Sequence, residues 1–159
     1  MYVIHAESGR KLEATISRLD AKEIARINKT KRFDFNWNKE KAYEVYKLTA
    51  EGADGPLGLM SLADRREDIA VEIRLLASSM ENVGDGKKYK RIAGCMIAFA
   101  CRQAFIAKYG GYVCLKPKTE LENHYREFYG FESTKLFLVT EGLNSLALIK
   151  KYYDDQEEK

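Results

Sequence analysis

The most constraining feature of this sequence is a helix-length segment, residues 92–108, that is apolar on nearly every side. It contains no proline and a single glycine, and Ile92, Met96 and Phe99 recur at helical spacing. Because almost all of its first three turns are apolar, most of the helix surface must pack against other parts of the protein and not face solvent. The segment therefore predicts a deeply buried helix.

The segments around this helix predict strands and further helices. Asp20, with Glu23 three residues later, has the spacing of a capping box and marks the start of a helix. The predicted strands are 11–19, 42–49, 57–63, 69–77, 112–115 and 135–140, and the other helices follow Asp20 or cover 120–128 and 143–153. The order indicates an α+β (mixed α/β) domain, in which the crossing helix permits parallel pairing between strands near residues 75 and 113.

Length and composition favour one globular domain over residues 1–159. The chain has 159 residues with 45% hydrophobic content, enough for one substantial core but short for two domains. Its longest apolar stretch, Ile92–Ala100, is far shorter than the roughly 20 residues that span a bilayer. The three cysteines have no CxxC spacing. We therefore expect a cytoplasmic protein with no bound metal and no membrane partner.

A cluster of cations precedes the buried helix. Lys87, Lys88, Lys90 and Arg91 lie within five residues. The free N–H groups and the dipole at the start of a helix favour an anion, and basic side chains add charge-assisted contacts. The pattern is compatible with a phosphate site or with a solvated basic loop.

Four segments together resemble, in order, the coenzyme-binding half of the GNAT superfamily of N-acetyltransferases. They are residues 70–77, the loop 88–94, residues 111–115 and residues 122–131, and the similarity covers roughly residues 42–140. The resemblance implies a central mixed, mostly antiparallel sheet flanked by helices, with acetyl-CoA or coenzyme A as co-substrate. The set is similar to a divergent branch of bacterial proteins.

The family's pyrophosphate motif, Gln/Arg-x-x-Gly-x-Gly/Ala, falls on Lys88, Arg91 and Ala93. Arg91 departs from the motif because it stands where glycine is expected; its side chain could point outward and pair with a phosphate. By this resemblance the coenzyme contacts comprise the strand end Leu75, Leu76 and Ala77 and the loop Lys88, Tyr89, Lys90, Arg91, Ile92, Ala93 and Gly94.

The resemblance also implies a tyrosine that acts as general acid toward the departing thiolate. Tyr125 matches it, although it lies one residue farther from Gly130 than is usual, and Tyr129 is the weaker alternative. An amine nucleophile must lose a proton, so a carboxylate acting directly or through water is useful. Glu72 is the candidate base, with an ordinary surface ion pair as the equally weighted alternative.

Other reactive side chains carry weaker signals. His124 adjoins Tyr125, but neighbouring helical residues point about 100° apart. Cys95, Cys101 and Cys114 lie in apolar segments and are expected to be core residues, which argues against a cysteine hydrolase.

The sequence supports transfer of an acyl group, most simply acetyl, from CoA to a primary amine on a small molecule or peptide. The alternative is a non-catalytic acyl-CoA-binding or regulatory module with the same fold. RNA binding by residues 87–91 ranks last because the cluster is small and the tail, residues 154–158, is acidic. The acceptor is open among a peptide N-terminus, lysine, a polyamine, an aminoglycoside and charged tRNA, and the resemblance allows a homodimer.

Overall fold

A computed structural model describes residues 1–117 and 119–154, so residues 155–158 of the acidic tail lie outside the described part. The described residues form nine strands and four α-helices. In chain order these are β1 (Tyr2–His5), β2 (Lys11–Arg18), α1 (Ala21–Thr30), β3 (Glu44–Ala50), β4 (Gly58–Arg65), β5 (Ala70–Ser78), β6 (Tyr89–Lys90), α2 (Ile92–Ile106), β7 (Val113–Leu115), α3 (Glu122–Tyr129), β8 (Glu132–Ser133), β9 (Leu138–Thr140) and α4 (Gly142–Tyr153).

The strands form one sheet in the order β6-β1-β2-β3-β4-β5-β7-β9-β8. The predicted mixed, mostly antiparallel sheet is confirmed, and β5 and β7, joined through α2, pair in parallel. The short strands β1, β6 and β8 were not predicted. The expected strand over 135–140 forms only at Leu138–Thr140, since Thr134 and Phe137 close a turn through a 2.8 Å backbone hydrogen bond.

The described chain divides into two compact units, whose boundaries fall inside β4, β5 and α2. The first comprises Met1–Ser61 and Leu75–Met96. Within it, β1 pairs antiparallel with both β2 and β6, and β2 pairs antiparallel with β3. A core cluster joins α1 to strand residues; its buried members are Leu19, Ile24, Phe33, Trp37, Val45, Leu59 and Ala77.

The predicted start of α1 is confirmed in detail. The Asp20 carboxylate accepts a hydrogen bond from the Glu23 N–H at 2.8 Å, and the Glu23 carboxylate accepts one from the Asp20 N–H at 3.4 Å. Between α1 and β3 only a short 3₁₀ helix forms, Trp37–Glu40. Trp37 is buried there, and its indole N–H donates to the Asp34 carbonyl.

The second unit comprises Leu62–Arg74 and the chain from Ile97 onward. Here β9 pairs antiparallel with both β7 and β8. Ser145 on α4 ties these elements together: its buried hydroxyl donates to the Gly111 carbonyl at 2.7 Å and contacts the Thr140 hydroxyl at 3.0 Å. No helix among the described residues is both long and apolar enough to cross a membrane.

Candidate functional site

The backbone at the start of α2 has the geometry of an anion site. The Arg91 carbonyl accepts the first helical hydrogen bond, from the Cys95 N–H at 3.0 Å, so Arg91 directly precedes the helix. Its φ is +81°, in the left-handed region that glycine adopts without strain. A left-handed residue followed by helical ones brings successive N–H groups into one concave arrangement, and the first N–H groups of a helix have no partner within it. Arg91 therefore has the backbone conformation for which the motif uses glycine.

The Arg91 side chain lies against β1. Its Nε–H donates to the Tyr2 carbonyl at 3.1 Å, and its guanidinium carbon lies 4.0 Å from the centroid of the Tyr2 ring. This placement differs from the expected outward orientation toward a phosphate. Sequence reasoning missed Tyr2 because β1 was not predicted, although the run Tyr2-Val3-Ile4 has the composition of a strand.

The rest of the basic loop divides into exposed cations and buried anchors. Lys88 and Lys90 are exposed, as is Lys87, so their ammonium groups can reach a ligand. Tyr89 and Ile92, in contrast, are only 7% and 4% exposed. Of the predicted coenzyme contacts, these two can offer only backbone groups.

Asn82 holds the loop in place. Its amide oxygen accepts a 2.7 Å hydrogen bond from the Tyr89 N–H, and its amide N–H donates to the Ser79 hydroxyl at 2.8 Å. The side chain is buried, so both bonds are shielded from water. The Lys88 carbonyl also accepts from the Ala6 N–H at 2.8 Å. These hydrogen bonds hold the segment 78–88 in a defined turn that positions the basic residues.

The end of β5 carries the three residues expected to contact the coenzyme arm. The parallel ladder with β7 covers Val71–Ile73, so residues 75–77 lie beyond it. Leu75 and Leu76 are half-buried, and Ala77 is buried in the α1 core.

Tyr125 on α3 lies in an aromatic cluster. Its ring centroid is 5.7 Å from that of Phe131 and 5.9 Å from that of Tyr129. The phenol is protonated at neutral pH, as a free tyrosine is, and burial raises its pKa further, which makes it a weaker acid. The exposed His124 stacks on Phe128, with centroids 5.3 Å apart. Tyr125 therefore has a protonated hydroxyl, and His124 belongs to the outer side of the same helix.

Glu72 on β5 is held by a guanidinium. Its carboxylate accepts a hydrogen bond from Arg65 at 3.2 Å, and its side chain is 16% exposed. Arg65 also donates two hydrogen bonds to Asp68, at 2.7 and 2.9 Å, and lies 5.0 Å from the centroid of the Phe137 ring. The Arg65 guanidinium and a transferred proton compete for the same Glu72 carboxylate oxygens. Arg65 was not identified from the sequence as the partner of Glu72.

The cysteines are core residues. Cys95, Cys101 and Cys114 are all buried, and none forms a disulfide. Burial raises the pKa of Cys101 to about 12 and that of Cys114 to about 11. These thiols are poor nucleophiles, since the thiolate is the reactive species. Among the described residues no cluster of His, Cys, Asp or Glu could hold a metal ion.

Comparison of the whole chain with known proteins identifies the fold. No family model and no curated protein matches the sequence. Among solved structures, the NatC complex bound to Gag peptide and CoA matches with a TM-score of 0.59 at 15% identity, covering 81% of this chain and 98% of that one. The IAA acetyltransferase from Bacillus cereus matches with a TM-score of 0.57 at 16% identity, covering 77% of this chain and 79% of that one. AtaT complexed with acetyl-methionyl-tRNAfMet matches with a TM-score of 0.54 at 14% identity, covering 86% of this chain and 99% of that one.

The chain therefore has the fold of the GNAT N-acetyltransferases. At these identities the likeness shows the fold alone, because one scaffold supports many activities.

Proposed function

We propose that this protein is an N-acyltransferase that uses acetyl-CoA as co-substrate and a primary amine as acceptor. The observation that carries the proposal is the left-handed backbone at Arg91 immediately before α2, at the motif position that binds pyrophosphate in the GNAT fold. The first amides of α2 bind the pyrophosphate, and Lys88 and Lys90 add charge. The backbone of Leu75–Ala77 pairs with the pantetheine arm.

In the proposed reaction the amine nitrogen forms a bond to the thioester carbonyl carbon, and the C–S bond breaks. Tyr125 donates its phenolic proton to the departing sulfur, a role open to a phenol because it is protonated at neutral pH. Glu72 accepts the proton that the amine loses, directly or through a water, and Arg65 orients the carboxylate.

Isothermal titration with acetyl-CoA and with CoA tests the coenzyme site. Wild type should bind both at micromolar concentration, and Lys88→Ala should bind more weakly, with a difference that shrinks as salt is added. Lys22→Ala is the matched control, because it removes the same charge from an exposed position on α1. Absence of binding by the wild type would overturn the proposal.

A second experiment separates the enzyme from the alternative, a non-catalytic acyl-CoA-binding module. Release of free CoA is followed with a panel of amines: peptides with a free N-terminus, lysine peptides, polyamines, aminoglycosides and charged tRNA. A peptide and a tRNA species accompany two of the similar structures, so both belong in the panel. Tyr125→Phe should lower turnover about 10²-fold or more while leaving CoA affinity unchanged. Binding with no turnover on any amine favours the non-catalytic module.

A further inference from the structure

The left-handed backbone conformation of Arg91 is unfavourable for arginine, whereas the glycine of the motif would adopt it without strain. The left-handed region disfavours an L-residue by about 1–2 kcal/mol, a factor of about 5 to 30 in an equilibrium constant. Something must therefore hold Arg91 there if the amides of α2 are to converge before the coenzyme arrives. Its side chain contacts Tyr2 twice: the Nε–H donates to the Tyr2 carbonyl at 3.1 Å, and the guanidinium carbon lies 4.0 Å from the ring centroid.

We propose that Tyr2 is a positioning residue for coenzyme binding: it holds Arg91 in the left-handed conformation, and Arg91 itself is not a phosphate ligand. The proposal rests on the function proposed above. It explains how this chain tolerates arginine where the motif has glycine. The tether to β1 replaces the conformational freedom that glycine provides.

Tyr2 is well placed to act as an anchor. It is 5% exposed and lies in β1, where it is paired with Glu13 of β2. Its carbonyl accepts from Arg91 Nε at 3.1 Å and from the Cys95 thiol at 3.4 Å, so one carbonyl contacts the residue before α2 and the first turn of the helix. The ring lies under the guanidinium at 4.0 Å, within the range of a cation–π contact.

The ladder between β1 and β6 strengthens the same connection. His5 is paired with Tyr89 and Ile4 with Lys90, so the two residues before Arg91 are fixed to the same strand as Tyr2. The backbone on the N-terminal side of Arg91 and its own side chain are thus both attached to β1. A change in Tyr2 should reach the amides of α2 through Arg91.

Two substitutions at one position separate an anchor from a ligand. Arg91→Met keeps the β-carbon and a long side chain but loses the charge and the hydrogen bond; Arg91→Gly removes the side chain and accepts a positive φ without strain. If Arg91 is an anchored backbone element, CoA affinity measured by titration falls about 5- to 30-fold in Arg91→Met and stays within about threefold of wild type in Arg91→Gly. Equal, large losses in both variants would show that the guanidinium binds phosphate and would overturn the proposal.

The anchor is tested from the other side of the contact. Tyr2→Phe keeps the ring and the carbonyl and should bind CoA as wild type does. Tyr2→Leu also keeps the backbone carbonyl but replaces the ring with a smaller aliphatic side chain, and it should bind several-fold more weakly. The double variant Tyr2→Leu/Arg91→Gly should recover the affinity, a rescue that general damage to β1 would not show. Failure of the rescue, with thermal melting confirming a folded protein, would refute the positioning role.

A measurement without coenzyme keeps this inference separate from the proposed function. In urea unfolding, Tyr2→Leu should reduce stability more in the wild-type background than in the Arg91→Gly background, because only the former contains the contact. Equal losses in both backgrounds would overturn the anchor even if CoA binds. A third outcome is that the wild type fails to bind CoA while Tyr2→Leu still reduces stability more in the wild-type background than in the Arg91→Gly background. In that case the proposed function is wrong, and the Tyr2–Arg91 contact still controls the start of α2.

Discussion

The packing of α2 on β4 makes a quantitative prediction about Gly58. A β-carbon at this position would lie 2.7 Å from the Met96 sulfur, 2.8 Å from Ile92 Cγ2 and 3.6 Å from Leu48 Cβ. The first two distances are 0.7 and 0.6 Å short of the 3.4 Å at which ordinary contact begins. Gly58→Ala therefore requires neighbouring atoms to move by more than half an ångström.

The two neighbours respond differently. The Met96 side chain is flexible and can turn its sulfur away. Ile92 is β-branched and stiff at χ1, so its methyl group can move only if the first turn of α2 moves with it. Overpacking of this kind costs about 1–3 kcal/mol. Because Ile92 directly follows Arg91, the displaced turn is also the proposed phosphate site, and CoA affinity should fall several-fold.

Gly86→Ala is the matched control. No atom lies within 4 Å of a β-carbon built at Gly86, and its φ is not positive. The same chemical change there should leave stability unchanged or raise it by about 0.4–1 kcal/mol through the unfolded state. Urea unfolding and CoA titration of both variants give the comparison. If Gly58→Ala matches Gly86→Ala in stability and affinity, the argument that α2 packs tightly over Gly58 is wrong.

Three further predictions concern buried polar groups and thiols. Asn82→Ala leaves the N–H of Tyr89 without its acceptor and should lower unfolding free energy by about 1–3 kcal/mol and weaken CoA binding, whereas unchanged stability would contradict the anchoring role. Cys101 and Cys114 have pKa values raised by burial to about 12 and 11, so a thiol reagent at pH 8 should label them slowly until the protein is unfolded; rapid labelling would contradict their burial. Burial raises the pKa of Tyr46 to about 12, so the stability that its neutral phenol contributes is complete below pH 10 and is lost as the pH rises through about 12. Tyr46→Phe should remove this part of the alkaline loss of stability.

Much of the fold could be predicted from local patterns. The capping box at Asp20 is visible within four residues, and the apolar character of α2 is visible within three turns. The three missed strands are short: β6 and β8 have two residues each, and β1 has four. A two-residue strand has no measurable period, since its conformation comes from the partner strand and not from its own side chains.

The candidate site could be located from the sequence but not described. The order of strand, basic loop and buried helix is carried by neighbouring residues, so Lys88, Arg91 and Ala93 could be placed on the pyrophosphate motif. The hydrogen-bond partners of the candidate site residues could not be found from the sequence in the same way. Asn82 reaches Tyr89 across a folded turn, and the carboxylate of Glu72 meets Arg65 from the preceding strand.

The sequence by itself therefore determined the types and order of the longer elements and the class of fold, because periodicity, caps and turns act over a few residues. Only the tertiary structure decided where the Arg91 side chain lies. Its motif position predicts a glycine-like backbone, while its charge suggested a phosphate ligand. The structure instead places the guanidinium on Tyr2, 89 residues away in the chain. That contact exists only because the sheet brings β1 beside the start of α2, and no pattern local to either segment encodes it.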